Sequence, residues 1–251
     1  MNEHDHIIRR QPKHIYPKKR ILCLVSNATH LHGISVGFFA EEMTRPFFDF
    51  IQAGYDVDLC SPKGGEVKFD AHSDPENPDG AYPNDLISIG FRHHPVFGKL
   101  LQNSKAIEEI DINNYDAVCV AGGGAPLLTF KDDKKLHKLI ADFYEAGKIT
   151  CLICHGTSLL LWTTLSNGKL LADGKTWTGF ADSEEDIINT MFGMTVNDYT
   201  IETEARKNPN TKFEVAGPLE PFAVRDGRLI TAQQQHSSFL ASQLVIEALS
   251  E

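Results

Sequence analysis

The residue best placed to do chemistry is Cys154. It follows an apolar, partly β-branched run, Ile149-Thr150-Cys151-Leu152-Ile153, and is followed at once by His155, Gly156 and a helical pattern over 157–161. An apolar run that ends in so abrupt a change of pattern is that of a central parallel strand, covered on both faces. At such a strand-to-helix turn the corner side chain stands above the sheet edge, and free N–H groups of the new helix point toward it. The positive end of the helix and the adjacent imidazole both stabilise an anion, so the expected thiol pKa lies below the ~8.5 of a free cysteine. Cys154 is therefore read as an exposed nucleophile.

The other cysteines read differently. Cys23, Cys60 and Cys119 sit inside apolar runs without polar neighbours, which is the pattern of small core hydrophobes. Cys151 and Cys154 form a C-x-x-C, but three residues along a strand span about 10 Å, too far for a disulfide. A strand over 115–120 runs into Ala121-Gly122-Gly123-Gly124-Ala125-Pro126. Residues without Cβ let backbone N–H groups approach a ligand closely, so this loop is expected to form an oxyanion hole facing Cys154. It has neither G-x-G-x-x-G nor the Lys-[Ser/Thr] of a phosphate loop.

Two sets of carboxylates complete the reactive inventory. Phe38, Phe39, Met43, Phe47, Phe50 and Ile51 recur at helical spacing from Val36, and Gly54 closes the run. Glu42 lies on the edge of that apolar face, and Pro46 cannot donate to its carbonyl, which should bend the helix. Two readings of Glu42 stand side by side: an exposed helix glutamate, or a desolvated carboxyl that handles protons. Asp182, Glu184 and Glu185 cluster at a second helix start with Ser183 as N-cap, where the helix dipole alone would account for acidic residues.

The elements that position these groups follow from the remaining pattern. The 251 residues suffice for one large core. A hydrophobic share of 41% with 23% charged residues is that of a globular chain, and no apolar run approaches a membrane span. The net charge of −10 speaks against a nucleic-acid partner. Five cysteines without regular spacing and a polar, basic first segment point to a reducing cytoplasm. Residues 1–18 read as a flexible arm carrying His4-Asp5-His6, and 19–251 as a single domain. Strands are expected over 20–26, 55–61, 115–120 and 149–153, a helix over 132–147, three short strands over 213–216, 222–225 and 229–231, and a last helix over 237–249. Residues 27–33 read as a loop whose His30 and His32 could line a ligand site, 62–65 as a turn, 70–84 as a surface loop, 95–103 as helical pieces, and His93 and His94 as surface residues. Alternating strands and helices imply right-handed crossovers and an α/β architecture with a mainly parallel sheet between helices.

The chain resembles the DJ-1/PfpI superfamily, specifically its Hsp31-like class. The resemblance is carried by Val36-Gly37-Phe38-Phe39-Ala40-Glu41-Glu42-Met43-Thr44-Arg45-Pro46, Ala121-Gly122-Gly123-Gly124, Ile153-Cys154-His155-Gly156 and Gly179-Phe180-Ala181-Asp182-Ser183-Glu184-Glu185. It implies a flavodoxin-like α/β sandwich, commonly dimeric, with Cys154 as nucleophile, His155 as its partner and Glu185 as third member of a triad. By the same resemblance Glu42 is the carboxyl beside the thiol, and Gly123, Gly124 and His155 form the substrate and oxyanion region. The family loop usually reads Pro-Gly-Gly-His-Gly, whereas Ala121, Gly124 and Ala125 stand here in place of Pro, His and the last Gly. Phe50 occupies the position of a histidine in the metal site of related bacterial chaperones, so no metal is expected, and no cofactor is implied.

The implied activity is that of a glyoxalase acting without glutathione, converting the small dicarbonyl methylglyoxal to lactate, or of a related deglycase, in carbonyl-stress defence. A cysteine amidase or peptidase is the alternative enzyme. A stress chaperone or oxidation sensor is the alternative outside enzymes.

Overall fold

The structure is a computed structural model that describes residues 18–251. The arm expected over 1–18, with the His4-Asp5-His6 triplet, lies outside the described residues apart from Lys18. In chain order the strands are β1 (Arg20–Leu24), β2 (Thr29–Leu31), β3 (Ile34–Val36), β4 (Asp56–Ser61), β5 (Lys63–Gly65), β6 (Ser104–Ala106), β7 (Ala117–Val120), β8 (Ile149–Ile153), β9 (Thr176–Trp177), β10 (Lys212–Phe213), β11 (Ala223–Asp226) and β12 (Leu229–Ala232). The helices are α1 (Ala40–Gln52), α2 (Leu86–His93), α3 (Gly98–Gln102), α4 (Pro126–Thr129), α5 (Lys134–Glu145), α6 (Leu159–Trp162), α7 (Asp182–Phe192), α8 (Ile201–Ala205) and α9 (Ser238–Ser250). No helix among the described residues is long and apolar enough to cross a membrane.

Eight strands form one sheet in the order β11-β12-β8-β7-β1-β4-β6-β5, with only the two edge strands, β11 and β5, antiparallel to their neighbours. This is the flavodoxin-like α/β sandwich that the resemblance implies. The central strands are buried along almost their whole length because both faces are covered. From β1 the chain crosses over α1 to β4, and from β7 over α5 to β8. The two crossovers run in opposite directions along the sheet, and right-handed connections therefore put α1 and α5 on opposite faces. The direction reverses between β1 and β7, and the carboxyl ends flanking such a reversal open a crevice. The loops after β1, β7 and β8 all emerge there.

Several expected boundaries move, for tertiary reasons. Residues 36–39 do not begin the first helix: Phe38 donates its N–H to the Lys68 carbonyl (3.3 Å) and accepts from Asp70 N–H (2.7 Å), which holds this stretch extended. The expected loop over 27–33 is a small hairpin of β2 and β3, and the expected turn over 62–65 becomes edge strand β5 by pairing with β6. Helix α2 fills the interval between the loop expected over 70–84 and the helical pieces expected over 95–103. Its N-terminus is set by the Asp85 side chain, which accepts from Ser88 N–H at 3.0 Å. Pro46 lies inside α1, whose hydrogen-bonded span runs on through it.

Helix α1 packs alongside α9, and its inner face feeds an aromatic cluster in which Phe47 meets Phe91 (ring centroids 5.0 Å) and Phe97 (5.1 Å) edge-on. Such pairs add to the gain from burial alone. Because α1 also carries Glu42, this cluster fixes a site residue at one remove. Phe47 is buried, and Phe47→Ala is expected to destabilise the fold by about 3–5 kcal/mol, read as a lower denaturant midpoint at unchanged m value.

Candidate active site

Cys154 leaves β8 with φ at 55°, a left-handed conformation that costs a residue with a Cβ of order 1–3 kcal/mol. The surroundings impose it. The Thr157 hydroxyl donates to the Cys154 carbonyl at 2.6 Å, and the following residues to Ser158 wind into a tight 3-10 turn before α6. Val120 pairs with Leu152 across β7 and β8, so the glycine loop after β7 and Cys154 after β8 leave the sheet side by side. Gly122 is required for that approach: a Cβ there would lie 2.9 Å from Cys154 Cβ and 2.6 Å from His155 N. Gly123 adopts φ of 104°, and a Cβ on it would strike Phe39 N at 2.5 Å.

The structure brings Glu42 into this corner. It is fully buried, and its Oε2 accepts from Gly122 N–H at 2.7 Å. The acidic group beside the carboxyl is the Cys154 thiol. Desolvation pushes the Glu42 pKa up to about 8, against the opposing pull of Cys154, Gly122 and His155. Of the two environments that the sequence leaves open, exposed or desolvated, the structure shows the desolvated one.

Cys154 differs from expectation in two respects. It is buried rather than exposed, at 3% accessibility on the floor of a pocket. Its thiol pKa is pushed well above the ordinary value, by burial first and then by the Glu42 charge, with only the His155 N–H opposing. Desolvation thus outweighs the helix end and the imidazole. Glu42 and Cys154 are side-chain hydrogen-bond partners, and each shifts the titration of the other.

His155 is held from two sides. Its Nδ1 lies 3.0 Å from the Gly123 carbonyl and its Nε2 3.0 Å from Glu185 Oε1. A carbonyl only accepts, so Nδ1 carries a proton. Burial opposes charging the ring, but Glu185 outweighs it and the pKa rises. Both ring nitrogens are engaged, and neither is left for the thiol. Asn197 Nδ2 donates to the other Glu185 oxygen at 2.9 Å.

Glu184 does different work from its neighbour. It accepts from Ala181 N–H (2.9 Å), Leu219 N–H (3.0 Å) and Gln233 Nε2 (3.0 Å). The N-cap of α7 is accordingly Ala181, and the expected Ser183 is displaced because the Glu184 side chain already holds the Ala181 N–H. Both glutamates are buried, so packing rather than dipole compensation accounts for them.

Gly123 and Gly124 line the pocket, but they are not equivalent. Gly124 N–H donates to Asp70 Oδ2 at 3.2 Å, which removes it as an oxyanion donor. Gly123 N–H has no hydrogen-bond partner among the described residues. Asp70 is the residue that sequence reasoning missed, since it falls in a stretch read as a surface loop. It is 8% accessible and also accepts from Gly37 N–H (3.4 Å) and His72 N–H (3.1 Å), tying the glycine loop to the strand-like segment before α1. An aspartate whose side chain caps the N–H two residues on is an Asx turn, and Asp70-Ala71-His72 carries that signal. Of the loop histidines, His32 reaches the pocket and contacts the Val196 carbonyl (3.1 Å), while His30 is exposed on the hairpin away from it. His93 is exposed and pairs with Glu76 at 2.7 Å, and His94 is exposed beside Phe97.

Residues 34–248 match the DJ-1/PfpI family. The chain is 32% identical over 236 residues to Glyoxalase 3 of Candida albicans, covering 92% of this chain and 98% of that protein. It is 27% identical over 238 residues to the glutathione-independent glyoxalase HSP31 of Saccharomyces cerevisiae, with 93% and 98% covered. The fold matches the crystal structure of glyoxalase III from Candida albicans with a TM-score of 0.76 at 28% identity, over 92% of this chain and 97% of that one.

The raised pKa of Glu42 sets a pH dependence of stability. The folded protein retains a proton on Glu42 that the unfolded chain releases near pH 4.5, so wild type loses stability as pH climbs from there to about 8, at up to about 1.4 kcal/mol per pH unit. Glu42→Gln lacks that proton. Its stability relative to wild type, measured by urea unfolding, is expected to improve steadily from pH 5 to 8 and then level off.

Proposed function

The chain belongs to the DJ-1/PfpI family, and from that premise we propose that it is a cysteine-dependent, glutathione-independent glyoxalase that converts methylglyoxal and water to lactate. Two relatives that align over nearly their whole length bear glyoxalase names. The observation that carries the reading is the fully buried carboxyl of Glu42 set against the Cys154 thiol. A carboxyl poised near pH 8 is suited to take and return a proton at neutral pH.

In this proposal ionised Glu42 takes the thiol proton as sulfur attacks the aldehyde carbon, and then passes it to the former aldehyde oxygen, giving a neutral hemithioacetal. Glu42 next removes the hydrogen left on that carbon. The C–H electron pair forms a C=C bond, and the ketone oxygen gains the charge. The N–H groups of Gly123 and His155 and the charged His155 ring stabilise the resulting enediolate. Glu42 returns its proton to the second carbon, and the hydroxyl proton of the first carbon moves to the second oxygen. The first carbon is thereby oxidised to a thioester and the second reduced to an alcohol, so the redox change stays within the substrate. Water then cleaves the thioester, releasing lactate and restoring the thiol. The roles of Cys154, His155, Glu185 and Glu42, a small dicarbonyl as substrate and a homodimer as working unit all belong to this proposal.

Amide hydrolysis fits less well. It asks the imidazole to take the thiol proton, and both His155 nitrogens are turned to Gly123 and Glu185. The test is lactate release from methylglyoxal set beside cleavage of chromogenic amides, in wild type and Cys154→Ser. Lactate production that vanishes in the variant is expected; amide cleavage without lactate would remove the glyoxalase reading.

Glu42→Gln is expected to slow formation of the thiol adduct, followed by mass spectrometry, and to lower lactate release by roughly a hundredfold or more. The wild-type kcat/KM should climb as pH rises toward 8, where Glu42 becomes ionised, and this inflection should disappear in the variant. Wild-type turnover in Glu42→Gln would leave Glu42 only a shield for the thiol.

Glu185→Gln weakens the charge that holds His155 and is expected to lower turnover more than the same change at Glu184. Glu184→Gln should show chiefly in stability. Equal activity in the two variants would take Glu185 out of the reaction.

A further inference from the structure

We infer that the preferred substrate is an uncharged α-oxoaldehyde bearing an apolar group of about six carbons on its keto side, where methylglyoxal has only a methyl. This rests on the glyoxalase reading and specifies the substrate of that same site. The cavity above Cys154 has a volume of about 170 Å³. An apolar cavity of roughly 150 Å³ accommodates benzene, so there is room beyond the reacting carbonyls for a body larger than a methyl. The walls are Leu31 and Ile34 of the β2–β3 hairpin, Ile187, Met191 and Phe192 of α7, and Met194 just after it. At the mouth Ile34, Met191, Phe192 and Met194 are 39%, 54%, 39% and 41% exposed. Large apolar side chains left in water around a pocket that ends at a nucleophile form a surface for an apolar ligand.

The charged part of the lining points the same way. Among the described residues it contains Asp70, Glu184 and the histidines His32, His72 and His155 but no lysine or arginine; the His155 ring is already paired with Glu185, and His32 is turned to the Val196 carbonyl. A phosphate or carboxylate on the substrate would be desolvated beside acids without a lysine or arginine to meet it. A neutral chain gains from burial instead, by roughly fourfold per fully buried methylene. The chemistry is unchanged: R–CO–CHO and water give R–CHOH–COOH, with one carbon oxidised and its neighbour reduced. The product acquires a carboxylate, which the acidic lining favours releasing.

The test separates the walls from the reaction. On Cys154→Ser, calorimetry compares the unreactive ketones 2-octanone and 2-butanone; on the reactive protein, kcat/KM compares 2-oxooctanal with methylglyoxal. Octanone is expected to bind at least ~10-fold tighter than butanone, and oxooctanal to be preferred by at least ~10-fold, about two buried methylenes' worth. Met191→Ser and Ile34→Ser, both at exposed positions, should shrink both ratios. Octanone binding no tighter than butanone overturns the inference whatever the turnover. Tighter octanone binding with no preference for oxooctanal also overturns it, and makes the walls a seat for another apolar group such as a peptide side chain. Selective octanone binding with neither oxoaldehyde converted supports the apolar seat and overturns the glyoxalase reading instead.

Discussion

A carboxyl group buried without a lysine or arginine partner among the described residues is the constraint around which the site is built. Glu42 cannot easily ionise where it stands: among the described residues it is bonded by one backbone N–H, from Gly122, and by the Cys154 thiol, with the His155 ring nearby. Moving such a group out of water costs several kcal/mol if charged, so it keeps its proton until about pH 8. That single fact couples the fold to the chemistry. The same burial that makes α1 a stable core helix leaves a proton beside sulfur, and the thiol is correspondingly hard to ionise. In the proposed reaction, the group that touches the thiol is therefore the one that takes its proton.

The second layer is an arrangement of backbone groups held by carboxylates. Asp70 ties the Gly37 and Gly124 amides together, Glu184 gathers the amides of Ala181 and Leu219, and Glu42 takes that of Gly122. Three acids from three separated stretches of chain thus hold the loops that surround the pocket. Glu185, one residue from Glu184, turns to the opposite task and fixes the imidazole. Adjacent residues on a helix point about 100° apart, which lets one short acidic run serve both the loop framework and the site.

Access to the sulfur is controlled by position as well as by protonation. Cys23, Cys60, Cys119 and Cys151 are as buried as Cys154, yet only Cys154 opens on the pocket. The difference is backbone geometry. The first four lie within strands whose two faces are covered, whereas the left-handed turn after β8 aims the Cys154 side chain into the crevice formed where the chain reverses direction across the sheet.

Sequence alone determined the alternation of strands and helices, the parallel sheet and the identity of the corner cysteine, because these depend on local periodicity and on the abrupt change from an apolar run to Cys-His-Gly. It also marked the glycine loop, since a run of residues without Cβ has few other uses after a buried strand. What it left open is what long-range contact decides. Whether Glu42 is exposed depends on α1 lying beneath the loop after β7, 80 residues on. Residues 36–39 read as helix until pairing with 68–70 draws them out. Asp70 read as a surface residue until its oxygens met three amides. The thiol pKa went the other way from the local expectation, because a helix end acts within a few residues whereas desolvation is set by everything that packs around the sulfur. Local pattern names the groups; only the packed structure decides which of them meet.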